Sequence, residues 1–114
     1  MPIPDLLLSN SIRPGVVGLL KSLVLEFAKD GITFNNVGPG YTTTERLVSL
    51  ASERAKALGV PQAEIEAKWA ADVPAKRLAT PQEVAAAIVW LASESAAYVN
   101  GQTIVVDGGR YLGN

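Results

Sequence analysis

At 114 residues the chain has room for one domain at most, and 48% apolar with 18% charged residues gives a core-forming composition, not a disordered one. A net charge of −1 supplies no sequence-wide basic field, so neither nucleic acid nor an anionic membrane is an expected partner. Cysteine and histidine are both absent, which excludes thiolate nucleophiles, disulfides, zinc–thiolate and imidazole metal sites, and histidine general bases. Carboxylates, Lys, Arg, Tyr, hydroxyls or a bound cofactor must carry any chemistry, and no metal site is expected. No apolar run reaches the ~18 residues of a membrane-spanning helix, and the N-terminus lacks the basic-then-apolar layout of a secretory signal. A cytoplasmic chain is therefore expected.

Val16, Leu19, Leu20, Leu23 and Phe27 recur at spacings of three and four, which predicts an amphipathic helix. Pro14 is harmless only in a first turn, so the cap is expected near Ser11, with Met1–Asn10 as a looser lead-in. Lys29 in the last turn and Gly31 beyond it mark the stop. Ile32–Val37 reads as a short strand closed by Gly38-Pro39-Gly40. Ligands bind outside the carboxyl ends of strands in α/β sheets, and the free N–H groups of a helix start favour anionic groups. The Ile32–Gly40 strand and loop therefore mark where a ligand would sit.

Thr42-Thr-Thr-Glu45 fits a capping box opening a helix that carries Leu47, Leu50, Ala51 and Leu58 and ends at Gly59. Pro61 begins a further helix with Ile65 and Trp69 one turn apart, ended by Pro74. Thr80-Pro81-Gln82-Glu83 is the strongest local signal: capping threonine, proline at the first helical position, glutamate at the third. Val84, Ala87, Ile88, Leu91 and Ala92 then form an apolar face. Asn100-Gly101 makes a turn, Gln102–Val106 a second strand, and Asp107-Gly-Gly109 its end. Strand, helices and strand make a βαβ-type unit of the α/β class, expected to be parallel. Tyr41 reads as a packed ring, Trp69 and Trp90 as core or interface residues.

Three segments, Gly15-Val-Val-Gly-Leu-Leu-Lys-Ser-Leu23 with Asp30-Gly-Ile32, Asn35-Asn-Val-Gly-Pro-Gly40, and Gly101-Gln-Thr-Ile-Val-Val-Asp-Gly-Gly109, cover nearly the whole chain. In order and spacing they resemble the C-terminal half of the short-chain dehydrogenase/reductase family, and most of all its 3-oxoacyl-carrier-protein-reductase-like members. The resemblance implies the C-terminal portion of a Rossmann-like doubly wound parallel sheet, a single partial domain over residues 1–114, with NAD or NADP as cofactor. It also implies that Pro39 and Gly40 shape the loop at the nicotinamide end. The Thr42 backbone would then meet the carboxamide, and the Thr44 hydroxyl would lie near the carboxamide or pyrophosphate.

The family's catalytic Tyr-x-x-x-Lys stands immediately before the Gly-Val-Val-Gly-Leu segment. Alignment on Gly15 puts Ser9 at the tyrosine position and Arg13 at the lysine position. A serine hydroxyl is far less acidic than a phenol with a pKa near 10, so Ser9 is a poor replacement as acid/base, whereas Arg13 keeps a positive charge for a ribose or phosphate. The family's glycine-rich phosphate loop and catalytic serine have no counterpart in these residues.

Two readings follow. In one the chain is part of an oxidoreductase that transfers hydride between carbonyl and hydroxyl, inactive alone and acting on a small carbonyl substrate only once the fold is completed. In the other it is a non-catalytic oligomerising or partner-binding module. The apolar first helix and the unpaired edge of the Ile32–Val37 strand predict a homo-oligomer.

Overall fold

The computed structural model describes residues 7–111, with side chains described from 15 to 111. The first helix, α1 (Leu7–Phe27), begins upstream of Ser11 and carries Pro14 in its interior, not in its first turn. The expected cap at Ser11 is thereby corrected, as is the loose lead-in over Leu7–Asn10. The reason is energetic. One proline removes one backbone bond at a local cost of about 3 kcal/mol, and residues added to an existing helix extend a cooperative unit past it. The stop is the expected one: a 3-10 turn at Ala28–Asp30 ends on Gly31, whose φ is 77° and whose N–H donates to the Ala28 carbonyl.

The first strand, β1, is Asn36–Pro39, four residues downstream of the start expected at Ile32. Tertiary bonding sets this shift. Phe34 N–H donates to Asn100 Oδ1 at 2.9 Å and Asn35 Nδ2 to the Val99 carbonyl at 3.0 Å. Gln102 N–H donates to Asn35 Oδ1 at 3.0 Å. Two asparagine side chains thus satisfy backbone groups ahead of both strands, beside a single backbone bond from Gly101 N–H to the Phe34 carbonyl, and the regular strand begins at Asn36. Beyond them lie α2 (Glu45–Leu58), α3 (Gln62–Ala71), α4 (Pro81–Leu91) and, after a 3-10 turn at Glu94–Ala96, β2 (Thr103–Val106).

β1 and β2 form a two-stranded sheet. The N–H of Asn36 donates to Gln102 and that of Gly40 to Val106. Partners thus advance together along both strands, and the pairing is parallel, as expected.

The described residues fall into two compact units. One comprises described residues of Met1–Asn36 with Leu91–Ile104. In it Leu20 and Ala96 are buried, and the rings of Phe27 and Phe34 meet with centroids 6.1 Å apart.

The other unit comprises Val37–Trp90 with described residues of Val105–Asn114. Its core is Ala51 and Ala55 of α2 against Ile65 and Trp69 of α3, with Tyr41, Leu47, Val60 and Leu78 packed around them. The expected pairing of Ile65 with Trp69 along one helix face is therefore seen. Gly59, at φ 67°, ends α2 in the left-handed conformation that a side chain would strain. The apolar face expected on α4 is only partly covered: Val84 and Ala87 are half-buried, whereas Ile88 is 52% exposed.

Candidate functional site

β1 delivers the chain to Pro39 and Gly40, and α2 takes it away at Glu45, so Tyr41–Thr44 is a short link between a strand end and a helix start. Gly40 N–H donates to the Val106 carbonyl at 2.9 Å, extending the ladder past β1. A Cβ at Gly40 would lie 2.7 Å from Asp107 Cβ and 2.8 Å from Asp107 Cα. The glycine is therefore required by the close approach of the chain leaving β2.

The next residues pair with the segment ahead of α4. Ala79 N–H donates to the Tyr41 carbonyl at 2.8 Å, and Thr43 N–H donates to the Ala79 carbonyl at 2.9 Å. This is a parallel bridge between Thr42 and Ala79, a geometry that turns Thr42's own N–H away from Ala79. Thr42 is buried, and its hydroxyl donates to the Gly40 carbonyl at 3.0 Å.

The cap of α2 is Thr44, not Thr42: the Thr44 hydroxyl oxygen accepts from Leu47 N–H at 3.3 Å. The capping box expected from Thr42 to Glu45 is therefore not formed. Thr42 is taken up by the bridge to Ala79, and the cap falls two residues later on Thr44, whose third helical residue is Leu47 and cannot return the bond. As a cap acceptor, Thr44 keeps its hydroxyl proton to donate outward.

Beside the loop lies a cavity of about 150 Å3, lined by Tyr41, Ala79, Val106 and Asp107 together with Arg77 and Glu83. Arg77 and Glu83 make a bidentate pair with both distances at 2.7 Å. Glu83 also accepts from Thr80 N–H at 3.0 Å while Glu83 N–H donates to the Thr80 hydroxyl at 3.3 Å, completing the expected capping box of α4. The hydrogen bond from Arg77, and secondarily that from Thr80, lowers the Glu83 pKa to about 2, and the same pairing raises that of Arg77. The two charges neutralise each other, so this pair brings no uncompensated charge to the cavity.

Pro39, Gly40, Thr42 and Thr44 are thus brought together on one loop within one unit. Ser9 and Arg13 stand one helical turn apart on the backbone of α1, and their side chains lie outside the described residues. Sequence reasoning missed the Arg77–Glu83 pair and the bridge through Ala79. The only local trace of the pair was the glutamate of the α4 capping box, and nothing in the periodicity marks Ala79. It also missed Arg110, whose guanidinium lies 4.4 Å from the Tyr41 ring centroid. Among the described residues no helix is long and apolar enough to cross a membrane.

The family model described as enoyl-(acyl carrier protein) reductase matches residues 3–110. A short-chain dehydrogenase family protein from Francisella tularensis superposes with a TM-score of 0.89 at 28% identity, over 96% of this chain and 46% of that one. The L-sorbose reductase of Gluconobacter frateurii, solved with NADPH and L-sorbose, superposes with a TM-score of 0.85 at 32% identity, over 92% of this chain and 40% of that one. The chain belongs to the short-chain dehydrogenase/reductase family, with a partial Rossmann-like α/β fold. Within that family it is similar to the 3-oxoacyl-(acyl-carrier-protein) reductase of Vibrio harveyi, at 38% identity over 88% of this chain and 36% of the relative. It thus spans little more than a third of that relative's length.

Proposed function

We propose that this chain carries the nicotinamide end of the cofactor site of an NAD(P)-dependent short-chain oxidoreductase that interconverts a carbonyl and a hydroxyl. One observation carries the reading: the Pro39–Thr44 loop leaves the carboxyl end of a parallel strand and enters α2 through a threonine cap, the place where such folds bind ligands. Family membership and the NADPH held by the L-sorbose reductase support it. The residues present fit a nicotinamide carboxamide, which offers both a donor and an acceptor. The Thr42 N–H is turned away from its bridge partner, and Thr44 has a hydroxyl proton to donate. Pro39 and Gly40 fix where these groups stand.

A bound nicotinamide would supply or accept the hydride. Proton transfer to the substrate oxygen belongs to the position Ser9 occupies, and a serine there is poorly matched to neutral pH. Arg13 would contribute positive charge toward a ribose or phosphate. In this reading the chain is one partial domain, sits in the cytoplasm, does not reduce a carbonyl by itself and forms a homo-oligomer. Self-association is favoured by the exposure of Leu19 (62%) and Leu25 (87%) on α1.

Titration of NADPH and NADH into the purified chain, followed by tryptophan fluorescence, tests the proposal. Saturable binding with a sub-millimolar dissociation constant is expected. No binding at millimolar nucleotide would reject it.

A further inference from the structure

We propose that Arg110 is a positioning residue that clamps the Pro39–Thr44 loop through the ring of Tyr41; its relevance to cofactor binding rests on the function proposed above. Tyr41 lies between Gly40 and Thr42, so the place of its ring and the place of the loop backbone are coupled by a single Cα. The ring stacks on Trp69 with centroids 5.6 Å apart and planes 15° apart. Trp69 is buried in the α2–α3 core, which makes it a fixed platform. The Arg110 guanidinium lies 4.4 Å from the Tyr41 ring centroid, well inside the ~6 Å range of cation–π attraction.

Arg110 reaches this place because the turn after β2 is itself tightly held. The Asp107 carboxylate accepts from Gly109 N–H at 2.9 Å and from Tyr111 N–H at 2.7 Å. Gly108 and Gly109 adopt φ of 66° and 93°, and a Cβ at Gly108 would meet Val73 Cγ1 at 2.7 Å. Asp107 is also the residue whose backbone and Cβ fill the space beside Gly40. One turn therefore grips the loop twice, by main chain and close packing at Gly40 and by a charged plane over the ring at Tyr41. Thr42 and Thr44 inherit their positions from these two grips and from the bridge to Ala79.

The experiment uses the full chain and Arg110→Ala, Arg110→Lys, Tyr41→Leu and the Arg110→Ala/Tyr41→Leu double variant. Amide hydrogen exchange over residues 41–47 reads the clamp without any ligand. Arg110→Ala is expected to speed exchange there, and Arg110→Lys to restore it; unchanged exchange in Arg110→Ala would overturn the proposal. Calorimetric titration with NADPH reads the consequence. Arg110→Ala is expected to weaken binding about two- to fivefold in the native background, the scale of an exposed cation–π contact, and not at all when Tyr41 is Leu. An equal loss in both backgrounds would mean that Arg110 touches the nucleotide directly, and the positioning role would be wrong. Absence of NADPH binding by the unaltered chain would reject the cofactor reading, while the exchange comparison would still decide the clamp.

Discussion

A methyl group at position 40 would have to occupy space that Asp107 already fills, since its Cβ would lie 2.7 Å from that of Asp107. The contact is with a backbone-proximal atom, so no rotamer change relieves it. Gly40→Ala is expected to destabilise the chain by about 1–3 kcal/mol, the usual cost of overpacking, measured by urea unfolding. A second residue-scale expectation concerns Glu83. Hydrogen bonding to Arg77 depresses its folded-state pKa from 4.5 to about 2, so the ionised form favours the fold. The contribution is therefore present above pH 4.5 and is lost as pH falls toward 2. Both partners are solvent-exposed, so the effect is small and weakens with added salt. The unfolding midpoint of the unaltered chain should fall across that window at low ionic strength, and Glu83→Gln should make the fall measurably shallower. A variant with the same acid profile as the unaltered chain would count against the pairing.

At the scale of elements, helix starts decide where the loop residues stand. α4 starts as its Thr80-Pro81-Gln82-Glu83 sequence reads, because every bond in that box is local. α2 does not, because Thr42, Thr43 and Thr44 are chemically equivalent caps and the bridge to Ala79 removes the first from contention. Thr44→Ala should cost about 1 kcal/mol of stability through loss of the α2 cap, checked by thermal unfolding. If that substitution were neutral, the cap would lie elsewhere. β1 follows the same logic. Ile32–Asn35 has strand-like composition, yet Phe34 N–H donates to the Asn100 side chain and the Asn35 side chain bonds the Val99 and Gln102 backbone, and β1 starts only at Asn36.

At the scale of the whole molecule, the described residues leave much apolar surface uncovered. Leu25 is 87% exposed, Leu19 62% and Val89 68%, and Tyr98 is fully exposed. Exposed apolar side chains of this size favour association with a partner, and a two-stranded sheet presents open edges as well. Light scattering after size exclusion should show association at micromolar concentration, and Leu25→Glu should reduce it without lowering stability, since that side chain packs on little. A well-folded monomer at that concentration would argue against self-association.

By itself the sequence determined the α/β class, the helix stops at Gly31 and Gly59, the α4 start, the Ile65–Trp69 core pair and the family. Each of these is written in local chemistry: a glycine that accepts positive φ, a reciprocal cap, a period of three to four, or motifs in a fixed order. Only the tertiary structure decided the true extent of β1 and the identity of the α2 cap. It alone also revealed the packing demand on Gly40, the Arg77–Glu83 pair and the reach of Arg110 to Tyr41. Those depend on residues far apart in the chain, Asn35 with Asn100, Gly40 with Asp107, Thr42 with Ala79, and no local pattern encodes which distant group will arrive.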